Sequence, residues 1–212
     1  MNTVWKHICI KNLIPRHVEK SFISNNTDLP RFYHLVKTHK VGQKLKIRPI
    51  VSNVHGPTKR ILRLIAHLLQ LTSNVPVHVE SSLQLIHRIQ TNNSDANREF
   101  SYPFSPDVVT LYTSIPVNEV IENISNILGQ SFNRFSRNDI VKLLTIVTSN
   151  VYFTFSSEIF PQIRGLSMGS SVFGILAILF MDTLEKKDVI SCKYINQYSR
   201  YVDDIYIQAT DE

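Results

Sequence analysis

Tyr198-Ser199-Arg200-Tyr201-Val202-Asp203-Asp204-Ile205-Tyr206-Ile207-Gln208 decides how this chain is read. Aromatic and β-branched residues flank an Asp-Asp pair, which predicts two strands joined by a turn with adjacent carboxylates at the bend. Ionised neighbours repel, so a structure that keeps both at one hairpin tip needs cations close by. Taken alone, the same string also describes a solvated acidic turn.

A third carboxylate upstream narrows the choice. In Ser105-Pro106-Asp107-Val108-Val109-Thr110-Leu111-Tyr112-Thr113-Ser114-Ile115-Pro116 an Asp again opens an apolar, strand-like run. If Asp107 meets Asp203 and Asp204 at adjacent strand ends, the three supply the ligand set of a two-metal phosphoryl-transfer site. Magnesium favours oxygen ligands and keeps several waters, so a few carboxylates plus substrate phosphates suffice.

The net charge of +6 hides a division along the chain. From Met1 to Ile65 there are 13 Lys and Arg against 2 Asp and Glu; from Ala66 onward there are 10 against 15. The basic part can attract phosphate backbones or a triphosphate, or it is simply a solvated face. All eight His fall between His7 and His87 without the spacing of a zinc site. Cys9 and Cys192 form no ligand cluster, and free thiols suit an intracellular protein. The longest apolar run, Val172 to Met181, is too short to span a bilayer, and no signal-peptide layout opens the chain.

Turn residues and periods give the coarse organisation. Ser24 to Pro30 reads as a loop, and Tyr33 to Ser52 as a hairpin turning at Val41-Gly42-Gln43. Thr58 caps a helix through about Leu71, and Thr91 to Ser101 reads as a polar loop. A helix follows Ile115-Pro116 and stops at Gly129; Asn138 is placed to cap the next, through about Ser149. A hairpin turns at Ser156-Ser157, and Ser170 to Lys187 is an almost wholly apolar helix with a charged end. Strands and helices in this order predict an α+β fold with helices over one face of an antiparallel sheet.

Four segments in order resemble the reverse transcriptases of Penelope-like retroelements, a group related to telomerase reverse transcriptase. Phe32-Tyr33-His34-Leu35-Val36-Lys37-Thr38-His39-Lys40, with Lys46-Ile47-Arg48-Pro49-Ile50-Val51-Ser52, resembles the fingers segments. Asp107 to Pro116 resembles motif A, Gln162 to Ser170 resembles motif B, and Arg200 to Asp204 resembles motif C. The pattern departs at Val36 and Ser171, where the family usually has Pro, at Phe173-Gly174, and at Ile178 in place of an Asn.

The resemblance implies a right-hand polymerase: an N-terminal segment over 1–30, basic fingers over 31–100, and a partial palm over 101–212. It implies a chain truncated after motif C, without thumb or GIY-YIG endonuclease. The activity implied is RNA-directed DNA synthesis with two Mg²⁺ ions, for which Mn²⁺ substitutes. The partners implied are an RNA template, a DNA primer and deoxynucleoside triphosphates, with no membrane, in an intracellular and nuclear setting. Asp107 and Asp203 would bind both ions, Asp204 would support them, and the Val108 carbonyl would complete the coordination of the second ion. Lys37, Lys40, Lys46 and Arg48 would hold the triphosphate, and Tyr112 would pack under the sugar unless it is simply a packed strand residue. Gly169 and Gly165 would let backbone approach the nucleotide, or merely turn the chain, and Met168 would pack nearby. A second class of function stays open: a remnant that binds nucleic acid without catalysis. A metal-dependent nuclease explains the carboxylates but not the fingers segments.

Overall fold

Most of the regular runs in the sequence become the elements that carry the candidate site. The computed structural model describes residues 1–23, 27–36, 47–72, 74–93, 101–129, 131–132, 134–149 and 151–210. In chain order the helices are α1 (Asn2–Lys11), α2 (Arg16–Phe22), α3 (Lys59–Thr72), α4 (Ser82–Asn93), α5 (Leu111–Ser114), α6 (Val117–Ile127), α7 (Arg137–Ser149) and α8 (Ser171–Asp188). The strands are β1 (Arg31–Val36), β2 (Ile47–Ser52), β3 (Tyr102–Phe104), β4 (Ser131–Phe132), β5 (Phe135–Ser136), β6 (Tyr152–Phe155), β7 (Glu158–Pro161), β8 (Ile195–Tyr201) and β9 (Asp204–Ala209). The fold is mixed α+β. It divides into two compact units, each assembled from two stretches of chain: Met1–Ser73 with Tyr112–Leu176, and Asn74–Leu111 with Ala177–Glu212.

The first unit holds a four-stranded sheet in the order β2-β1-β6-β7. Strands β1 and β2 pair antiparallel from Arg31↔Ser52 to Val36↔Ile47, the predicted hairpin; its turn at Val41-Gly42-Gln43 lies outside the described residues. Strand β6 joins β1 in parallel through Arg31↔Thr154, so this sheet is mixed rather than purely antiparallel. Pro49 sits on the edge strand β2, where a missing N–H costs no ladder bond. Ser156 and Ser157 turn β6 into β7 with φ of 48° and 67°, the backbone hand that matches twisted strands.

The same unit holds a helical core. Ile61, Leu62, Ile65 and Leu69 of α3 are buried, as are Val120 and Ile124 of α6 and Ile140, Leu143, Leu144 and Val147 of α7. Each set repeats at three and four residues, the spacing of one helical face. No element is expected from the sequence before the loop at Ser24, yet Trp5, Ile8 and Cys9 have that same spacing and are buried on α1. The Trp5 indole donates to the Glu19 carbonyl at 3.0 Å, tying α1 to α2. Burial, then the Glu19 charge, pushes the Cys9 thiol up to about 11, so it is an inert core residue.

Helix α7 starts differently from the sequence expectation. Its cap is Ser136 rather than Asn138: the Ser136 hydroxyl accepts from the Asp139 N–H at 3.3 Å, and the Asp139 carboxylate accepts from the Ser136 N–H at 3.0 Å. This reciprocal pair satisfies two otherwise orphaned donors, which Asn138 could not do from inside the first turn. Lys11 and Asn12 also donate to Asp139, at 3.0 and 3.1 Å. Burial alone would raise the Asp139 pKa, but the bonds from Ser136, Lys11 and Asn12 outweigh it and bring it down to about 2. A folded pKa below the unfolded one gives stability that is present above the unfolded value and lost as pH falls through the folded one. About 2 kcal/mol is therefore expected to disappear between roughly pH 4 and pH 2. Urea unfolding across that range measures it, and Asp139→Asn is expected to flatten this acid branch.

The second unit holds an antiparallel sheet in the order β3-β9-β8. The expected strand from Asp107 to Pro116 is not formed. The strand, β3, precedes it; Asp107 makes a single bridge, the chain reverses at Thr110 with φ 57°, and Leu111–Ser114 is one turn of helix. Pro103 and Pro106 limit how far this segment can act as a ladder donor, which keeps the strand short. The expected loop from Thr91 is also displaced, because α4 runs through Asn93. Ser81 caps that helix by accepting from the Gln84 N–H at 3.3 Å, and Gln84 accepts from the Glu80 N–H at 2.7 Å. The Ser-x-x-Gln start was legible.

Candidate active site

The hairpin β8-β9 pairs Tyr198↔Ile207, Ser199↔Tyr206, Arg200↔Ile205 and Tyr201↔Asp204, leaving Val202 and Asp203 as a two-residue turn. Val202 has φ 55° while Asp203 does not have positive φ, the sign pattern of a type II′ turn. That position favours glycine. A β-branched residue held there costs on the order of 1–3 kcal/mol and persists only where its surroundings fix it.

Two backbone hydrogen bonds bring the upstream Asp to this turn. The Val108 N–H donates to the Asp203 carbonyl at 3.0 Å and the Ile205 N–H donates to the Pro106 carbonyl at 3.2 Å, and together they make the antiparallel bridge of Asp107 with Asp204. Residues directly opposite in an antiparallel pair share a face with Cβ atoms about 4.5–5.5 Å apart. It is thus Asp204 that stands across from Asp107, with Asp203 beside it at the bend. Asp107 and Asp204 are exposed and Asp203 is half-buried. Among the described residues none of the three carboxylates has an ion-pair or hydrogen-bond partner. Nor, among those residues, do three or more His, Cys, Asp or Glu side chains form a group that could hold a metal ion.

Behind the turn lies a network absent from the sequence expectations. Arg200 and Glu185 are fully buried, and the Arg200 Nε and Nη2 donate to Glu185 Oε1 and Oε2, the second bond at 3.0 Å. Tyr198 Oη donates to Glu185 Oε1 at 2.7 Å; burial, then this carboxylate, pushes the phenol pKa up, so it stays a donor. The His78 ring stacks on Tyr201 at 6.3 Å between centroids, and burial followed by the nearby Arg200 charge lowers its pKa. One clue was available: an Arg between Tyr198 and Tyr201 at the end of a strand.

The other predicted site residues lie in the first unit, around the loop from Gln162 to Ser170. Gly165 has φ 67°, and a Cβ there would stand 2.6 Å from the Tyr112 carbonyl oxygen and from Thr113 Cα. The Leu166 N–H donates to the same Tyr112 carbonyl at 2.7 Å. Gly169 has φ 118°, and its Cβ would meet the Val51 carbonyl oxygen at 2.7 Å; the Met168 carbonyl accepts from the Val51 N–H at 2.9 Å. Only glycine tolerates both the angles and the approach. The loop therefore joins Tyr112, Met168 and Gly169 to β2, the strand that carries Arg48.

Tyr112 lies on α5 rather than on a strand. Arg48 is exposed and stands opposite Leu35, on the sheet face that also bears Arg31, Tyr33 and Ile50. Lys37, Lys40 and Lys46 lie outside the described residues. Phe173, a departure from the family pattern, is buried and lines a cavity of about 190 Å³ with Val51, Leu62 and Val147. Ile178 is half-buried, and its carbonyl accepts from Arg200 Nη2 at 3.2 Å.

A mixed α+β chain with these elements has the fold of part of a telomerase reverse transcriptase. The apo telomerase of Candida tropicalis matches with a TM-score of 0.60 at 14% identity, over 99% of this chain and 44% of that one. The telomerase of Candida tropicalis in complex with a TWJ fragment of telomeric RNA matches with a TM-score of 0.62 at 13% identity, over 89% and 37%. The corresponding complex from Candida albicans gives a TM-score of 0.59 at 12% identity, over 93% and 39%. At such identities the likeness is one of fold, and the chain spans less than half the length of these structures. No protein-family model matches the chain, and no curated protein matches it. No helix among the described residues is long and apolar enough to cross a membrane.

Proposed function

We propose that this chain is the fingers and partial palm of an RNA-directed DNA polymerase of Penelope-like type, a nucleotidyltransferase of a retroelement. The observation that carries this reading is the bridge that sets Asp107 across from Asp204, with the Asp203 carbonyl bonded to Val108. Ionised carboxylates set opposite one another on paired backbone repel, and among the described residues no side-chain cation pairs them. Their hard oxygen donors suit Mg²⁺ or Mn²⁺.

In this reading Asp107 and Asp203 would hold two ions, Asp204 would support them, and the Val108 carbonyl would complete the coordination of the second ion. When bound, the ions lower the pKa of a primer 3′-hydroxyl and stabilise departing pyrophosphate. Tyr112 packs under the sugar of the deoxynucleoside triphosphate, Met168 and Gly169 border it, and Arg48 with Lys37, Lys40 and Lys46 binds its phosphates.

A binding measurement separates these contributions. Arg48→Ala is expected to weaken binding to an RNA–DNA primer-template and to reduce the slope of log affinity against log salt by about one, because one phosphate contact fewer releases counterions. Equal affinity and equal slope would place Arg48 among ordinary surface cations. Titration of the intact chain with Mn²⁺ tests the second unit, and binding should fall sharply in Asp107→Asn.

A further inference from the structure

We propose that Arg200 is a positioning residue for the aspartate turn: clamped on the buried Glu185 carboxylate, its guanidinium holds the Val202 carbonyl and thereby fixes Asp203 against Val108. The guanidinium has five N–H donors in a rigid fork. Two go to Glu185, one reaches the Ile178 carbonyl at 3.2 Å, and one from Nη1 reaches the Val202 carbonyl at 3.2 Å. The Arg200 backbone is held as firmly, since its N–H donates to the Val77 carbonyl and its carbonyl accepts from the Val79 N–H, both at 2.9 Å. Arg200 is therefore tied to α8, to the 77–79 segment and to the turn at once.

Two features point to geometry rather than stability as the purpose of this clamp. A buried ion pair is often no more stabilising than apolar residues of equal volume, so its presence alone does not strengthen the fold. Val202 meanwhile keeps the positive φ that a β-branched residue avoids, and the bond from Arg200 is a constraint able to hold it there. Lysine could not replace arginine, because one ammonium nitrogen cannot span both Glu185 oxygens and the Val202 carbonyl. The consequence for ion binding rests on the proposed function; the control of the turn does not.

Amide hydrogen exchange on the metal-free chain reads the turn directly, because the Val108 N–H is bonded to the Asp203 carbonyl and the Ile205 N–H to the Pro106 carbonyl. In Arg200→Met with Glu185→Gln both charges are gone, while the Gln carbonyl can still accept from Tyr198. Val108 and Ile205 are expected to exchange at least about tenfold faster in that variant, with the amides of α4 unchanged, as for the loss of a hydrogen bond from a charged group. Arg200→Lys, which keeps the charge, is expected to give the same local acceleration. Unchanged exchange at Val108 and Ile205 in either folded variant would overturn the proposal. A uniform acceleration across β8, β9 and α4 would also overturn it and assign the pair to stability.

Mn²⁺ titration of the same proteins follows the consequence, with affinity expected to fall about tenfold in step with the exchange. If the unsubstituted chain binds no Mn²⁺ while the local acceleration appears, the ion-binding reading fails and the positioning role stands.

Discussion

Joined to the further segments of a full-length reverse transcriptase, this chain is expected to extend a DNA primer on an RNA template, and Asp203→Asn is expected to lower that extension by at least about a thousandfold. An amide in place of the carboxylate removes a charge from the ligands of both proposed ions. The several kcal/mol of transition-state stabilisation that such ions supply corresponds to about three decades in rate or more. Affinity for the primer-template should fall little, since it comes mainly from basic contacts to phosphates. Primer-extension rates and binding isotherms measured on the same preparations separate the two quantities. A parent that binds duplex but extends nothing with either Mg²⁺ or Mn²⁺ would favour the non-catalytic remnant. Phe173 would then be a poor first target for rescue, because it is only 3% exposed and Phe173→Ser would empty part of the core. Ile178→Asn, at a half-buried position, would be the cleaner attempt.

Arg200→Met alone is expected to cost about 3–5 kcal/mol of stability, because it leaves Glu185 charged and buried with only Tyr198 as a donor among the bonds described. Adding Glu185→Gln should recover most of that loss. The pair of variants therefore separates the penalty of an orphaned charge from the worth of the ion pair itself. Trp5, the single tryptophan, lies in the other compact unit, so its fluorescence does not report on this site directly. Exchange of the β8 and β9 amides under urea does. A single variant as stable as the parent would show that the Arg200–Glu185 pair is not formed in solution.

Periodicity made several elements legible. The α3, α6 and α7 faces follow from apolar residues three and four apart, and the β8-β9 hairpin from β-branched and aromatic residues around a turn. Helix α1 escaped because its short apolar stripe is interrupted by polar residues, although Trp5, Ile8 and Cys9 kept the spacing. The segment after Asp107 misled for the opposite reason. Val108, Val109, Leu111 and Tyr112 have the composition of a strand, but the chain turns at Thr110 and composition does not encode that φ. The caps at Ser81 and Ser136 show the finer grain: each Ser is followed three residues later by Gln or Asp, the spacing of a capping box.

The sequence by itself determined the residue types of the candidate chemistry: three aspartates in two short segments, a basic first third, and glycines at the two positions where a side chain would strike backbone. Such features are local, because a carboxylate, a charge or a missing Cβ is set by one residue and its neighbours. Tertiary structure decided which Asp faces which, pairing Asp107 with Asp204 and the Asp203 carbonyl with Val108. It also decided that Glu185, on the charged end of an apolar helix, is the buried partner of Arg200. Register and burial depend on how separate segments pack, and a pair drawn from distant parts of a chain leaves no mark at the spacing of a turn or a helix.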